Sequence, residues 1–317
     1  MKALEFMPPI FITTRYVVPQ EIQTMTVRQY LRQVLGISHS LWKRIKVSET
    51  FRLNGSFARM TMACVHGGDV LTWQLPTPPA WKPLPLPLDV IYEDDALLIV
   101  NKPAGQLSHP TAKEREGSLR DAVLYHFQQQ QENAGFYLAH RLDRNTSGLV
   151  LIAKRPEVQH LLFHNGKMFE RSYFAIATGH IEPACGIIDL PIERAEGSII
   201  KREVRGDGKR AVTRYRVLTA NAQASFLYLT LWTGRTHQIR VHLSHLSHPL
   251  LGDDLYGGSR TWLSRQALHA GALRLTHPLT HEPIYAYAPL PSDIREVLKK
   301  LLLMPKKSLG LFPQGVL

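Results

Sequence analysis

Apolar and polar positions follow two periods along the chain. Residues 26–35 carry apolar side chains at helical spacing, between a threonine that can cap a helix and a glycine that can end one. Residues 38–47 repeat this helical spacing. Short apolar runs then flank the turn Asn54–Gly55, as in a β-hairpin. The first 75 residues are therefore predicted to form a small α+β domain.

A proline-rich stretch separates this domain from the rest of the chain. Residues 76–88 read PTPPAWKPLPLPL. Prolines remove backbone donors and fix φ, so a helix cannot form there and an extended, stiff segment is favoured. We predict a linker at 76–88 between a domain at 1–75 and a larger domain at 89–317.

The larger domain mixes strand and helix patterns in irregular order. Several connecting turns are too short for parallel crossovers, which predicts an α+β fold with a mixed, mainly antiparallel sheet and flanking helices. A basic excursion at 186–220 fits either a mobile hairpin (197–216) or a solvated loop. Two short strands are predicted within 90–102, and further strands near 149–154, 171–179 and 226–234. Helices are predicted near 118–131, 156–165 and 234–246, and residues 268–278 form a mostly apolar segment.

The charge balance indicates a polyanionic partner. The chain has a formal net charge of +12 and a pI near 9.8, and nucleic acid is the first expectation for so basic a protein. No apolar run approaches the roughly 20 residues of a membrane-spanning helix. The N-terminus lacks the apolar core and cleavage site of a signal peptide. We therefore expect a cytoplasmic protein that does not bind a membrane.

Cysteine and histidine form no metal-binding or disulfide pattern. Cys64 and Cys185 lie far apart, which excludes a disulfide framework and a cysteine-based zinc cluster, and both are expected to be buried thiols. His242, His245 and His248 lack HExxH spacing and have no carboxylate among them, so we expect surface or RNA-facing histidines. We predict no metal site.

One short polar run combines charge with a position ahead of a strand. HRLDRNTSGL, residues 140–149, places the Asp143 carboxylate between Arg141 and Arg144 and leads into an apolar run. A turn that feeds a strand can hold a cleft residue rigidly. The spacing alone favours an ordinary charged surface turn, because such turns are common. Other motifs are needed to decide between the two interpretations.

A set of motifs resembles the signature of the RNA pseudouridine synthases of the Rlu type, over residues 88 to about 290. HRLDRNTSGLVLIAK is similar to the family's central motif. The supporting motifs follow in the family's order: VIYEDDALLIVNKPAGQLSHP, RSYFAIATG, GKRAVTRYRVL, TGRTHQIRVHL with HPLLGDDLYG, and LHAGALRLTHP. The first domain resembles the RNA-binding domain of the small-subunit ribosomal protein S-four.

The resemblance implies a reaction and its residues. These enzymes break the uracil glycosidic bond in structured RNA, turn the base and rejoin it through carbon five, so no metal or cofactor is implied. Asp143 is implied as the catalytic carboxylate, which we expect to be ionised because the reference pKa of aspartate is about 3.9. Arg240 is implied as its partner, with Arg235 as second choice, and Tyr173 as the residue that packs against the base. Whether Asp143 attacks the sugar or removes a sugar proton stays open.

Further residues are implied to contact RNA. Arg141 would enter the RNA where the base leaves, because a guanidinium can refill the stack and bind phosphate. His140 is expected to orient the loop, and Leu250 to help wall the pocket. Arg171 stands where the family usually has lysine, so its contact is open. In the S-four-like domain, a set of basic residues is implied to contact phosphates: Lys43, Arg44 and Lys46.

Two other functions fit parts of the sequence. A glycosidase needs two carboxylates about 5–10 Å apart with a placed water, whereas the motif offers one. A non-catalytic RNA-binding or ribosome-assembly protein could keep the fold, but the presence of Asp143, Tyr173 and Arg240 argues against it. We therefore expect a monomeric isomerase that acts on structured RNA, with ribosomal RNA as the favoured substrate.

Overall fold

The structure is a computed structural model in which residues 11–37, 39–76, 83–111, 113–164 and 169–305 are described. No helix in these ranges is long and apolar enough to cross a membrane. The proline-rich linker falls partly outside them, since residues 77–82 are not described. Residues 83–89 form neither helix nor strand.

The N-terminal unit combines short helical segments with a small antiparallel sheet. Its elements are β1 (Phe11–Val17), β2 (Met25–Thr26), α1 (Val27–Gln29), a π-helical turn (Tyr30–Val34), α2 (His39–Ser48), β3 (Arg52–Leu53), β4 (Ser56–Phe57), β5 (Cys64–Val65) and β6 (Val70–Pro76). The sheet has the order β1-β6-β3-β4, and β2 pairs with β5. This arrangement agrees with the α+β unit that the sequence predicts.

Local chemistry explains where the first helix begins. The Thr26 hydroxyl accepts the Gln29 backbone N–H, and the Gln29 side chain accepts the Thr26 N–H, which forms a capping box. The predicted helix is regular for only one turn and then continues as the π-helical turn. Its apolar side chains Val27, Tyr30 and Leu31 pack against the core of this unit. Ile45 of α2 and Trp73 of β6 belong to the same core, and all five side chains are fully buried or nearly so.

The second part of the chain contains one large sheet. Its elements are β7 (Val90–Glu93), β8 (Leu97–Lys102), α3 (Leu119–Gln129), β9 (Tyr137–Leu138), β10 (Ser147–Ala153), α4 (Pro156–His164), β11 (Phe169–Thr178), β12 (Cys185–Asp189), β13 (Ile192–Arg194), β14 (Arg202–Val204), β15 (Val212–Ala220), β16 (Ala224–Leu231), α5 (Gln238–His245), β17 (Leu268–Thr276), β18 (Pro283–Tyr287) and α6 (Ser292–Lys300). Ten strands form the sheet, with the order β12-β15-β16-β11-β17-β10-β8-β7 and with β9 and β18 paired to β10 and β17.

The sheet is mixed and mainly antiparallel, which confirms the predicted fold class. Among the described strand pairs, β10 with β17 is the parallel one. Strand β10 lies inside the sheet, and all seven of its residues are buried. It enters the sheet through Gly148, whose φ is +112° and where a Cβ would lie 2.3 Å from the Ala270 carbonyl oxygen. Only glycine fits this close approach, which fixes the end of the loop that carries Asp143.

Two expectations need correction. The basic excursion at 186–220 is mostly strand: β12 and β15 join the large sheet, while β13 and β14 pair with each other. Its charges are partly paired, since Arg205 bonds Asp207 and Arg210 bonds Asp189. Both cysteines are exposed rather than buried, because each lies on a peripheral strand, β5 or β12.

Candidate active site

The loop between β9 and β10 holds Asp143 through its two neighbours in sequence. The Ser108 hydroxyl donates to the Leu142 carbonyl at 2.8 Å and accepts the Leu142 N–H at 3.1 Å. On the other side, the Lys102 ammonium donates to the Arg144 carbonyl at 3.0 Å. The backbone on both sides of Asp143 is therefore fixed by buried side chains of other segments.

Arg240, on the first turn of α5, pairs with Asp143. Its Nη1 donates to Asp143 Oδ2 at 3.0 Å. The rest of the guanidinium is clamped by Asp253, which accepts Nε at 2.6 Å and Nη2 at 2.7 Å. The Asp253 side chain is 0% exposed, the Arg240 side chain 8% and the Asp143 side chain 22%. The arginine is thus shared by a buried carboxylate that orients it and a more accessible one at the cavity.

A cavity of about 260 Å³ opens beside Asp143. Tyr173 of β11 lies in its wall and is 4% exposed, and burial raises the pKa of its hydroxyl. The tyrosine is therefore neutral and can offer a ring face and a hydroxyl. The volume is below the roughly 300–1,000 Å³ of typical drug-sized pockets. The apolar walls are formed by Leu142, Phe163, Phe169, Leu231, Ile239 and Leu268.

Comparisons with known proteins show the family of this chain. The family model described as RNA pseudouridylate synthase matches residues 96–245. The protein named uncharacterized RNA pseudouridine synthase YjbO, of Bacillus subtilis, is 40% identical over 87% of this chain and 99% of its own length. The chain belongs to the RNA pseudouridine synthase family. It is therefore an isomerase that converts uridine to pseudouridine.

Two further similarities support the assignment of this pseudouridine synthase. The ribosomal large subunit pseudouridine synthase D of Pasteurella multocida is 36% identical over 89% of this chain and 94% of its own length. The solved structure of human RNA pseudouridylate synthase domain containing 4 covers 68% of this chain and 93% of its own, with a TM-score of 0.55 and 25% identity. The predicted family, activity and fold class are confirmed.

The synthase brings most of the predicted site residues together. Asp143, Tyr173 and Arg240 meet at the cavity, and Arg141 lies exposed at its rim. Arg235 also lines the cavity but is turned away from Asp143, because its Nε donates to the Arg210 carbonyl at 3.0 Å. Arg240, rather than Arg235, is therefore the partner of Asp143.

His140 is a buried part of the cavity wall. Its Nε2 accepts the Leu151 N–H at 3.2 Å, and its ring stacks on Phe169 at 5.8 Å. Burial, with Arg171 nearby, holds the pKa of His140 well below its ordinary value. The imidazole is therefore neutral and fixed, in line with an orienting role.

Leu250 was expected to help wall the cavity, but it does not line it. It is 0% exposed, packs in the central core and is not one of the described residues around the cavity. Its backbone forms a bridge with Ala177 on β11, which turns the side chain into the core. The basic residues Lys43, Arg44 and Lys46 are exposed on α2 and lie outside the cavity.

Of the histidines that follow Arg240, His245 is exposed, whereas His242 and His248 have structural contacts, with His248 Nδ1 2.8 Å from the Thr178 carbonyl oxygen. His242 is fully buried, with Nδ1 2.9 Å from the Thr213 hydroxyl and Nε2 3.0 Å from the Leu190 carbonyl, which corrects the expected surface position. Within the described ranges, no group of three or more histidine, cysteine or acidic side chains is arranged to hold a metal ion.

Two contributors to the site, Lys102 and Asp253, were not predicted. Lys102 is fully buried and donates to the carbonyls of Pro103, Gln106 and Arg144. Burial lowers its pKa to about 7, whereas three carbonyl acceptors match the three hydrogens of an ammonium. We favour the charged form on this geometry. Arg171, whose contact the sequence left open, lines the cavity and donates to the Thr233 carbonyl at 3.1 Å.

Proposed function

We propose that Asp143 is the carboxylate that acts on the target uridine. The observation that carries this proposal is the 3.0 Å pair between Asp143 Oδ2 and Arg240 at the edge of the cavity. An arginine clamped by a second, buried carboxylate keeps Asp143 oriented toward the cavity. The isomerisation needs one such carboxylate, shielded from free water, to act at the nucleoside.

Tyr173 and Arg141 are proposed to handle the flipped nucleotide. The neutral Tyr173 ring lies in the cavity wall, where a uracil can pack against it. Arg141 is exposed at the rim, so its guanidinium can occupy the gap in the RNA and bind phosphate. His140 and Arg235 would contribute to the cavity wall beside the RNA. Leu250 would act only through the core.

The proposed substrate is ribosomal RNA of the large subunit. Support comes from relatives named ribosomal large subunit pseudouridine synthase D, one of which matches 89% of this chain. We further propose that the enzyme works as a cytoplasmic monomer without a small-molecule cofactor, since isomerisation requires no redox partner. Light scattering of the purified chain tests the oligomeric state.

The role of Asp143 is tested by Asp143→Asn. Tritium release from labelled RNA is expected to be abolished, while RNA binding changes little because the cavity and basic surfaces stay intact. Asp254→Asn is the matched control, because Asp254 is an exposed aspartate of a neighbouring loop with only a surface pair to Arg260. Turnover by Asp143→Asn at the wild-type rate would refute the proposal.

The N-terminal unit is proposed to dock RNA through α2. Lys43, Arg44 and Lys46 are exposed there, while Leu41 and Ile45 face the core. Replacing the three basic residues by alanine is expected to weaken RNA binding and to reduce the slope of log Kd against log salt by about 2–3, since each phosphate contact contributes about 0.9. The turnover rate at saturating RNA is expected to be unchanged.

A charge-matched control separates docking from general electrostatics. Alanine replacement of three exposed basic residues on α6 removes the same charge at another surface: Arg295, Lys299 and Lys300. If both triple variants lose the same affinity and salt dependence, α2 is not a specific docking surface.

A further inference from the structure

Tyr256 lies behind Arg240 and contacts two other parts of the site. It ends a short 3₁₀ turn (Asp254–Tyr256) and is 6% exposed. The Arg240 guanidinium sits over its ring, 4.9 Å from the centroid. The Tyr256 hydroxyl is 2.8 Å from His237 Nδ1 and accepts the Arg202 backbone N–H at 3.0 Å. The tyrosine therefore joins strand β14, the arginine and a histidine.

The hydrogen-bond directions around Tyr256 follow from its single hydroxyl hydrogen. The Arg202 amide can only donate, so the hydroxyl hydrogen is free to point at His237 Nδ1. Burial lowers the pKa of His237, so the imidazole is neutral. If Nδ1 accepts, the ring hydrogen of neutral His237 is on Nε2. That nitrogen lies 3.7 Å from Asp143 Oδ1.

His237 holds this position at a cost in backbone energy. It caps the N-terminus of α5 with φ 58° and ψ 20°, in the left-handed region that residues other than glycine adopt uncommonly, although asparagine, aspartate and histidine do so more often than the rest. Its ring meets that of Tyr256 edge-to-face, with centroids 5.6 Å apart. A strained residue fixed by packing next to a reactive carboxylate indicates that its orientation serves the site.

We propose that Tyr256 is a positioning residue that, through His237, directs an N–H toward Asp143 Oδ1 while Arg240 holds Oδ2. Each carboxylate oxygen then faces its own donor, and the carboxylate plane is set from two sides. This inference rests on the proposed role of Asp143. The 3.7 Å separation is longer than a hydrogen bond, and we expect it to shorten when RNA fills the cavity.

The test begins with Tyr256→Phe, which removes the hydroxyl and keeps the ring beneath Arg240. Loss of one neutral hydrogen bond to the orienting histidine is expected to lower kcat about two- to tenfold, with KM for RNA unchanged. Tyr92→Phe is the matched control, because its hydroxyl bonds Asp94 on a peripheral hairpin away from the cavity. Its kcat is expected to equal that of the wild type.

A double-mutant cycle then asks whether the hydroxyl acts through the histidine. His237→Asn tolerates the left-handed backbone but cannot reach Asp143 in the same way. If the proposal holds, Tyr256→Phe/His237→Asn is no slower than His237→Asn alone. Losses that multiply, or a wild-type kcat for Tyr256→Phe, would overturn it. Asp143→Asn assayed in parallel separates the two ideas, since its activity bears on the role of Asp143 itself.

Discussion

Replacing Arg240 by methionine would separate its structural role from its chemical role. Methionine keeps an unbranched apolar stem in the same space and removes the guanidinium. Asp253 then remains with its side chain 0% exposed and without the two bonds of 2.6 and 2.7 Å that now satisfy it. Asp143, at 22% exposure, stays partly accessible to water. The stability cost therefore arises mainly at Asp253.

The expected loss in the free energy of unfolding follows from removing one partner of a buried ion pair. Such changes cost about 3–5 kcal/mol, because a charge is left without compensation. With about 2–4 °C per kcal/mol for a domain of this size, Arg240→Met is expected to lower Tm by about 10 °C. Adding Asp253→Asn removes the orphaned charge and is expected to recover about half of that loss. Activity is expected to stay lost in both variants, because Asp143 has no partner in either.

Thermal melting of the wild type, Arg240→Met and Arg240→Met/Asp253→Asn measures the stability effect, and tritium release measures activity. Asp253→Asn alone completes the cycle. If the double variant melts no higher than Arg240→Met, the cost does not come from the buried charge of Asp253. That result would refute the reasoning about this pair.

Two further predictions concern the paired strands β10 and β17, which lie beside the Asp143 loop. Burial lowers the pKa of His269 to about 4, so the unfolded state binds more protons between pH 4 and 6.5 and stability falls as pH decreases through that window. In urea unfolding at pH 7 and at pH 4.5, the free energy of unfolding of His269→Gln is expected to fall less between the two pH values than that of the wild type, by up to about 3 kcal/mol. An equal fall in both proteins would contradict this. Gly148→Ala is expected to cost more than about 2 kcal/mol, because its Cβ would meet the Ala270 carbonyl, whereas Gly197→Ala, at φ 69° in open space, is expected to cost only about 1 kcal/mol. Equal costs in urea unfolding would refute the steric argument.

Local patterns predicted the elements that meet at the site. The alternation at 226–234 indicated the strand β16, and Asp143 was placed in the turn before β10. Arg240 was expected near it from the resemblance to the family and not from a local pattern. The choice between Arg240 and Arg235 needed the structure, since both lie in the same short motif. Arg240 donates to Asp143, whereas Arg235 donates to the Arg210 carbonyl.

Roles that depend on distant partners could not be predicted from the sequence. Lys102 acts on Arg144, 42 residues away, so no local pattern indicates the bond. Leu250 is apolar, and apolarity alone cannot distinguish a cavity wall from a core position. Asp253 lies in the GDDLYG run, where the sequence does not distinguish it from the adjacent Asp254. In the structure, the Asp253 side chain is buried against Arg240, while the Asp254 side chain is exposed.

The central claim is that this chain isomerises a uridine of ribosomal RNA with Asp143. The most direct measurement is pseudouridine mapping of ribosomal RNA from cells that lack the gene, complemented with either the wild type or Asp143→Asn. The account predicts that at least one large-subunit pseudouridine is missing without the gene, returns with the wild type and stays missing with Asp143→Asn. Restoration by Asp143→Asn would contradict the role of Asp143, and an unchanged ribosomal map would contradict the substrate.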